Sequence, residues 1–242
     1  MIDYTEDYLL DKEIKILQPV NGYRASTDAV LLAASACNIH PNDAILDIGS
    51  GTGAVSLCIA SRFEKLQPNI TGVELQTELA ELANKSAKAN SFDFLKYINA
   101  DAFNSGLPFC SFDHVFTNPP YFESSMPTSP KKGKALAHTF GKYNLADWVS
   151  LCIKMVKPQG YFYMINRAEA LDEILTALKG RMGDITIIPL YSKAEQAAKR
   201  VIVRAKKDSK APLSIAKGVI IHKNDGSYSE EAEQILRKGA AL

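Results

Sequence analysis

Apolar residues fall in short runs separated by longer amphipathic stretches, and this alternation repeats along most of the chain. Runs at 44–49, 69–75, 96–101 and 112–118 have strand length and composition, the last reading as a buried strand. The stretches 54–65, 77–90, 144–157 and 168–181 are predicted helices. Further strands are expected at 160–166, 185–191 and 198–206, with Lys157-Pro158-Gln159-Gly160 as a turn before the first of them. Strands alternating with helices predict an α/β fold: a doubly wound, mostly parallel seven-stranded sheet. The last two strands have no obvious helix between them, which predicts an antiparallel hairpin at one edge. Residues 1–43 form an N-terminal extension in which Asp28 to Ala36 is a helix capped by Ser26 or Thr27. The core runs over 44–210. Residues 211–242 form a small C-terminal extension with a strand and a helix. The loop from Phe122 to Tyr143 is long for a compact domain, and loops of that length are usually functional.

Composition narrows the picture. A chain of 242 residues is one ordinary domain with small additions, leaving no room for a second catalytic domain. No apolar run approaches a membrane span, and the acidic start Asp3-Tyr4-Thr5-Glu6-Asp7 is unlike a secretory signal. Cys37, Cys58, Cys110 and Cys152 match no metal or redox spacing, so buried, reduced thiols in a cytoplasmic protein are expected, with no metal. The net charge is only +1. Its distribution is uneven: residues 1–100 hold 8 Lys/Arg against 13 Asp/Glu, a net of −5, and residues 101–242 hold 20 against 14, a net of +6. That split allows a basic face for a nucleic-acid partner. Lys131, Lys132, Lys134 and Lys142 sit in the long loop, where they can meet phosphates; His138 there is read as solvated.

The densest chemistry is Asn118-Pro119-Pro120-Tyr121, directly after a strand. Two prolines make a stiff turn with outward carbonyls. The Asn118 oxygen and the Pro119 carbonyl can accept both N–H groups of a planar amine, while Tyr121 stacks on its face. Upstream, Asp47-Ile48-Gly49-Ser50-Gly51-Thr52-Gly53 joins a strand to a helix, and its glycines let the backbone approach a ligand. Glu74 and Asp101 end the next two strands, at the edge where open α/β sheets bind ligands; Glu74 is placed to take both hydroxyls of a ribose. The form Gly49-x-Gly51-x-x-Ala54 is also compatible with a dinucleotide. Asp47 argues against that, because a carboxylate there repels a pyrophosphate and suits a cationic sulfonium amino acid. A nicotinamide site also gives the Asn-Pro-Pro-Tyr turn no role.

Taken in order, these motifs resemble class I S-adenosylmethionine-dependent methyltransferases that modify amines. Gly22-Tyr23-Arg24-Ala25-Ser26-Thr27-Asp28 through Leu32, and the later Asp225-Gly226-Ser227-Tyr228-Ser229-Glu230, resemble the bacterial tRNA1(Val) adenine-37 N6-methyltransferase family. The resemblance implies a Rossmann-like fold and S-adenosyl-L-methionine as cofactor. It implies that Gly49, Gly51 and Gly53 hold the amino-acid end of the cofactor, Glu74 the ribose and Asp101 the adenine amine, with Asp47 and Asn118 also in contact. The N-terminal extension is expected to pack over the cofactor site. Asn118, Pro119 and Tyr121 are the implied catalytic set, with Tyr121, Lys131, Lys132 and Lys134 on the side of tRNA or another structured RNA. Protein-glutamine N5-methylation is the alternative, since that family shares the Asn-Pro-Pro-Tyr turn, but its members carry a helical N-terminal domain longer than 43 residues. DNA and ribosomal RNA amines remain open. A binding module without catalysis is disfavoured, because Asn118 and the glycines are intact.

Overall fold

The apolar runs become the centre of one sheet in the computed structural model, which describes residues 2–22, 24–119 and 143–242. Strands β3 (Ala44–Ile48), β4 (Asn69–Glu74), β5 (Leu95–Asn99) and β6 (Phe112–Thr117) lie parallel in the order β5-β4-β3-β6. Beyond β6 come β7 (Val156–Arg167), β9 (Arg200–Lys207) and β8 (Met182–Tyr191). β7 is parallel to β6, and β9 runs antiparallel between β7 and β8, which forms the expected edge hairpin.

Among the described residues the sheet has nine strands, not seven. The two additions are β10 (Ser214–Ile215) and β11 (Val219–Ile220), both parallel to β8. They are two residues each, too short to carry a readable period, and they cover the outer edge of β8. The Lys157–Gly160 turn also differs from expectation. It lies inside β7 as a bulge: the register with β6 jumps from Phe112–Val156 to His114–Tyr161, and Gln159 takes φ +64°.

Helices cover both faces. On one side, α1 (Thr27–Ala34), α2 (Ala54–Arg62), α3 (Thr77–Ala89) and α6 (Glu230–Lys238) pack against Ile45, Ile70, Phe116 and Tyr163. On the other, α4 (Leu145–Met155) and α5 (Leu171–Leu178) pack against Leu46, Ile48, Val115 and Phe162. The assignment follows strand alternation, since Ile45 and Leu46 must point to opposite faces. α4 starts at a capping box: Asn144 Oδ1 accepts from the Asp147 N–H at 2.8 Å, and Asp147 Oδ2 accepts from the Asn144 N–H at 3.1 Å.

The N-terminal extension holds a hairpin, β1 (Tyr4–Leu9) with β2 (Ile14–Pro19), laid beside α3. The Lys15 N–H donates to Asn90 Oδ1 at 2.9 Å and the Leu17 N–H to Ser86 Oγ at 2.9 Å. Of the four thiols, Cys58 and Cys152 are buried as expected, but Cys37 is half-buried and Cys110 exposed. Cys110 stands in the turn before β6 with φ +52°, where a side chain has no core to enter. Among the described residues, no helix is long and apolar enough to cross a membrane.

Candidate active site

The parallel strands end side by side at Ile48, Glu74, Asn99 and Thr117, and the chain after each end builds one wall of a crevice. After β3 the chain folds over β4: the N–H groups of Gly49 and Ser50 both donate to the Val73 carbonyl, at 2.9 and 3.0 Å. The Gly51 N–H then donates to Glu74 Oε2 at 2.8 Å, and the Gly53 N–H closes the turn on the Ser50 carbonyl at 2.8 Å. Two of the glycines are required by their neighbours. Gly49 has φ +74°, and a Cβ there would stand 3.3 Å from the Trp148 ring. Gly53 has φ +87°, caps α2, and a Cβ on it would collide with the Tyr97 hydroxyl.

Under this turn lies Asp47, 1% exposed. Its Oδ2 accepts from Ser56 Oγ at 2.6 Å, while Oδ1 has no partner among the described residues. Burial pushes its carboxyl up to about 6; the Ser56 hydrogen bonds oppose that, and the nearby Glu74 charge adds to it. Ser50 Oγ and Thr52 Oγ1 are likewise buried without a partner among the described residues. Unpaired buried oxygens cost free energy, and three around one turn mark a place built for a ligand with donors and positive charge. Glu74 is committed on both oxygens, Oε2 to Gly51 and Oε1 to the Gln76 N–H at 2.8 Å. A carboxylate accepts about four hydrogen bonds, so lone pairs remain on each. Asp101 caps the turn Ala102–Asn104, with Oδ1 accepting from the Phe103 N–H at 3.0 Å and Oδ2 from Asn104 Nδ2 at 2.9 Å.

The second wall leaves β6. Ile48 is paired with Thr117, so Gly49 and Asn118 emerge from neighbouring strand ends. The Thr117 hydroxyl donates to the Ile48 carbonyl at 2.9 Å and accepts from Trp148 Nε1 at 2.9 Å. Asn118 is half-buried and Pro119 buried. Phe103 stacks on Tyr143 with ring centres 3.6 Å apart and meets Trp148 edge-on at 5.9 Å. Pro120, Tyr121, Lys131, Lys132, Lys134, His138 and Lys142 lie outside the described residues. The sequence pattern did not single out Thr117, Trp148, Ser56 or Tyr97. The signals available were the single tryptophan of the chain and a hydroxyl directly before Asn118. Among the described residues no three His, Cys, Asp or Glu side chains could hold a metal ion.

A family model described as a methyltransferase domain matches residues 45–160. A tRNA1(Val) (adenine(37)-N6)-methyltransferase of Porphyromonas gingivalis strain W83 is 28% identical over 232 residues, covering 91% of this chain and 89% of that protein. The protein of the same name from Shewanella baltica strain OS185 is 30% identical over 234 residues, covering 89% and 91%. The crystal structure of a predicted O-methyltransferase from Agrobacterium tumefaciens superposes with a TM-score of 0.72 at 26% identity, covering 89% of this chain and 98% of that one. Fold and glycine turn together define a Rossmann-like methyltransferase that uses S-adenosylmethionine. The unpaired Asp47 Oδ1 and the two unpaired hydroxyls suit that cofactor, whose amino-acid end carries an ammonium. Within that class, the chain belongs to the tRNA1(Val) (adenine(37)-N6)-methyltransferase family.

Proposed function

We propose that the protein methylates the exocyclic N6 amine of an adenine in tRNA, at adenine-37 of tRNA1(Val), in the cytoplasm. The observation that supports the reading is the Ile48–Thr117 pairing, from which Gly49 and Asn118 follow on adjacent strand ends. When bound, S-adenosylmethionine supplies a methyl group on a positively charged sulfur, open to a nitrogen lone pair. Asp47 faces the ammonium, the Gly49–Gly53 turn the carboxylate end, Glu74 the ribose hydroxyls and Asp101 the adenine amine. The N-terminal segment closes over this side of the crevice.

An adenine N6 lone pair is drawn into the ring and is a poor nucleophile. Asn118 Oδ1 and the Pro119 carbonyl accept its two N–H bonds and bend the nitrogen toward tetrahedral geometry, which frees the lone pair. Positive charge grows on that nitrogen during the reaction, so both acceptors hold the transition state more strongly than the ground state. Tyr121 receives the unstacked base, a contact worth roughly 1–3 kcal/mol. The surplus proton leaves to water without a dedicated base. Lys131, Lys132 and Lys134 meet RNA phosphates.

The test is nucleoside mass spectrometry after incubation with S-adenosylmethionine and, separately, bulk tRNA, duplex DNA and a glutamine-bearing release factor. N6-methyladenosine confined to tRNA, mapped to position 37, is the expected result. Methyl groups found only on protein glutamine or on DNA would overturn the reading.

A further inference from the structure

We infer that Trp148 is a positioning residue which fixes the separation between the cofactor turn and the Asn118 acceptor; the inference rests on the methyl-transfer reading of this site. The backbone ladder between β3 and β6 reaches its last pair at Ile48 and Thr117. A side-chain bond bridges that last pair: Thr117 Oγ1 to the Ile48 carbonyl, 2.9 Å. A hydroxyl can rotate. Trp148 Nε1, donating to the same Oγ1 at 2.9 Å, occupies its acceptor side and aims its proton at Ile48. The six-membered ring of the same indole lies against Gly49, its Cζ2 3.3 Å from where a Cβ would stand. One rigid ring therefore touches the first residue of the cofactor turn and, through Thr117, the residue before Asn118.

A third connection closes the set. Phe103, whose N–H is held by Asp101, meets the indole edge-on at 5.9 Å and stacks on Tyr143. Gly49, Thr117 and Phe103, which belong to or adjoin the three strand ends, thus converge on Trp148. The ring itself is fixed from outside the crevice. It is 5% exposed and sits on α4, whose capping box and buried residues Leu145, Val149 and Cys152 seat the helix independently of the three turns. Methyl transfer needs its two reacting atoms in line at contact distance, and a displacement of about 1 Å costs on the order of a hundredfold in rate. A group that sets the spacing of the two turns acts on turnover while leaving each turn able to bind its own ligand.

The experiment compares Trp148→Phe, Thr117→Val, Thr117→Ser and the double variant Trp148→Phe/Thr117→Val in the full chain. It reads turnover and KM on the wild-type protein's substrate, calorimetric affinity for S-adenosylhomocysteine, and Tm. Trp148→Phe keeps an aromatic ring at the position and removes the donor. It should lower kcat by about ten- to a hundredfold, with KM and cofactor affinity within about twofold. Thr117→Val should match it, Thr117→Ser should recover most of the rate, and the double variant should be no slower than either single one, since both break the same chain of bonds. A Trp148→Phe rate within twofold of wild type, or a rate loss matched by equal losses of cofactor affinity and Tm, would overturn the inference. Trp148 is the chain's single tryptophan, so its fluorescence gives a readout that needs no nucleic acid. S-adenosylhomocysteine should change the emission saturably in wild type and Thr117→Ser, and Thr117→Val should show altered emission already when free. An unresponsive indole counts against the inference. A responsive indole in a protein that methylates none of the three substrates counts against the substrate reading instead.

Discussion

Ser56 Oγ holds one oxygen of Asp47 at 2.6 Å, while the other oxygen of the same carboxyl has no partner among the described residues. Burial lifts this carboxyl to about 6, well above the usual carboxylate range. A bound ammonium favours the ionised form, so cofactor affinity should weaken as pH falls through 6, by about tenfold between pH 7 and pH 5. Asp47→Asn should bind more weakly at neutral pH and lose this dependence. The stability effect has the opposite sense. A folded-state pKa raised above the unfolded value favours folding below pH 3.8 and loses that contribution as pH rises through 6. Asp47→Asn should therefore raise Tm at pH 7.5 and raise it by clearly less at pH 4.5. Calorimetry and thermal melts at both ends of the range check this; a pH-independent affinity in the wild-type protein would remove Asp47 from the ammonium site.

Gly53 and Tyr97 make a second testable pair. A methyl group on Gly53 would collide with the Tyr97 hydroxyl, which donates to the Gly53 carbonyl at 3.2 Å, and φ +87° is itself unfavourable for alanine. Gly53→Ala should lose roughly 2–4 kcal/mol in urea unfolding, from overpacking and backbone strain together. Gly106→Ala, with φ +71° and open space around it, isolates the backbone share and should lose only about 1 kcal/mol. Equal losses at the two sites would show that Tyr97 yields to the methyl group.

These pairs also show where sequence pattern stops. Glu74 was readable as a strand-end acid because an apolar run leads into it. The turn before it was readable because three glycines stand within five residues. Ser56 and Tyr97 were not, since their roles depend on what lies across the sheet. The β1–β2 hairpin escaped for a local reason. Its turn uses Leu10, Asp11 and Lys12 in succession at φ +48°, +52° and +74°, without the glycine or asparagine that usually marks such a turn. Trp148 and Thr117 are 31 positions apart and meet only after α4 has packed on the sheet.

His114 should make stability fall in mild acid. It is 2% exposed, with Nδ1 at 3.2 Å from the Tyr163 hydroxyl and Nε2 at 3.2 Å from Asp43 Oδ2. Burial holds its imidazole below the usual histidine value, and Asp43 offsets this only partly. A folded-state pKa depressed below the unfolded one gives stability that is present above about pH 6.5 and lost as pH falls through the folded value. Tm should drop more between pH 7.5 and pH 5.5 in the wild-type protein than in His114→Gln. Parallel curves for the two proteins would mean that His114 does not titrate in that range.

Asn118→Ala should separate binding from chemistry. Asp47, Glu74 and the glycine turn are untouched, so calorimetric affinity for S-adenosylhomocysteine should stay within about threefold, while single-turnover methylation falls by on the order of a hundredfold or more. Asn118→Asp is the sharper variant, because it keeps an acceptor oxygen and replaces the amide with a charge; it should retain more activity than alanine. A near-normal rate in Asn118→Ala would sink the acceptor role.

Lys131, Lys132 and Lys134 should reveal themselves in the salt dependence of RNA binding. They follow Tyr121 by ten to thirteen positions, and they belong to the part of the chain that carries a net +6. Each phosphate neutralised by a lysine releases condensed counterions, so the slope of log affinity against log salt counts the contacts. Replacing all three by glutamine should weaken tRNA binding at low salt and flatten that slope by roughly two to three. Cofactor affinity should not move, because the glycine turn and Asp47 lie on other strand ends. Turnover at saturating tRNA should also hold, since Asn118 and Trp148 are intact, leaving the loss in KM. Filter binding across a salt series gives the slope, and steady-state kinetics give the partition. An unchanged slope would place the RNA on another face of the protein, whereas a lost kcat at unchanged KM would move the lysines from docking into the geometry of the methyl-transfer step.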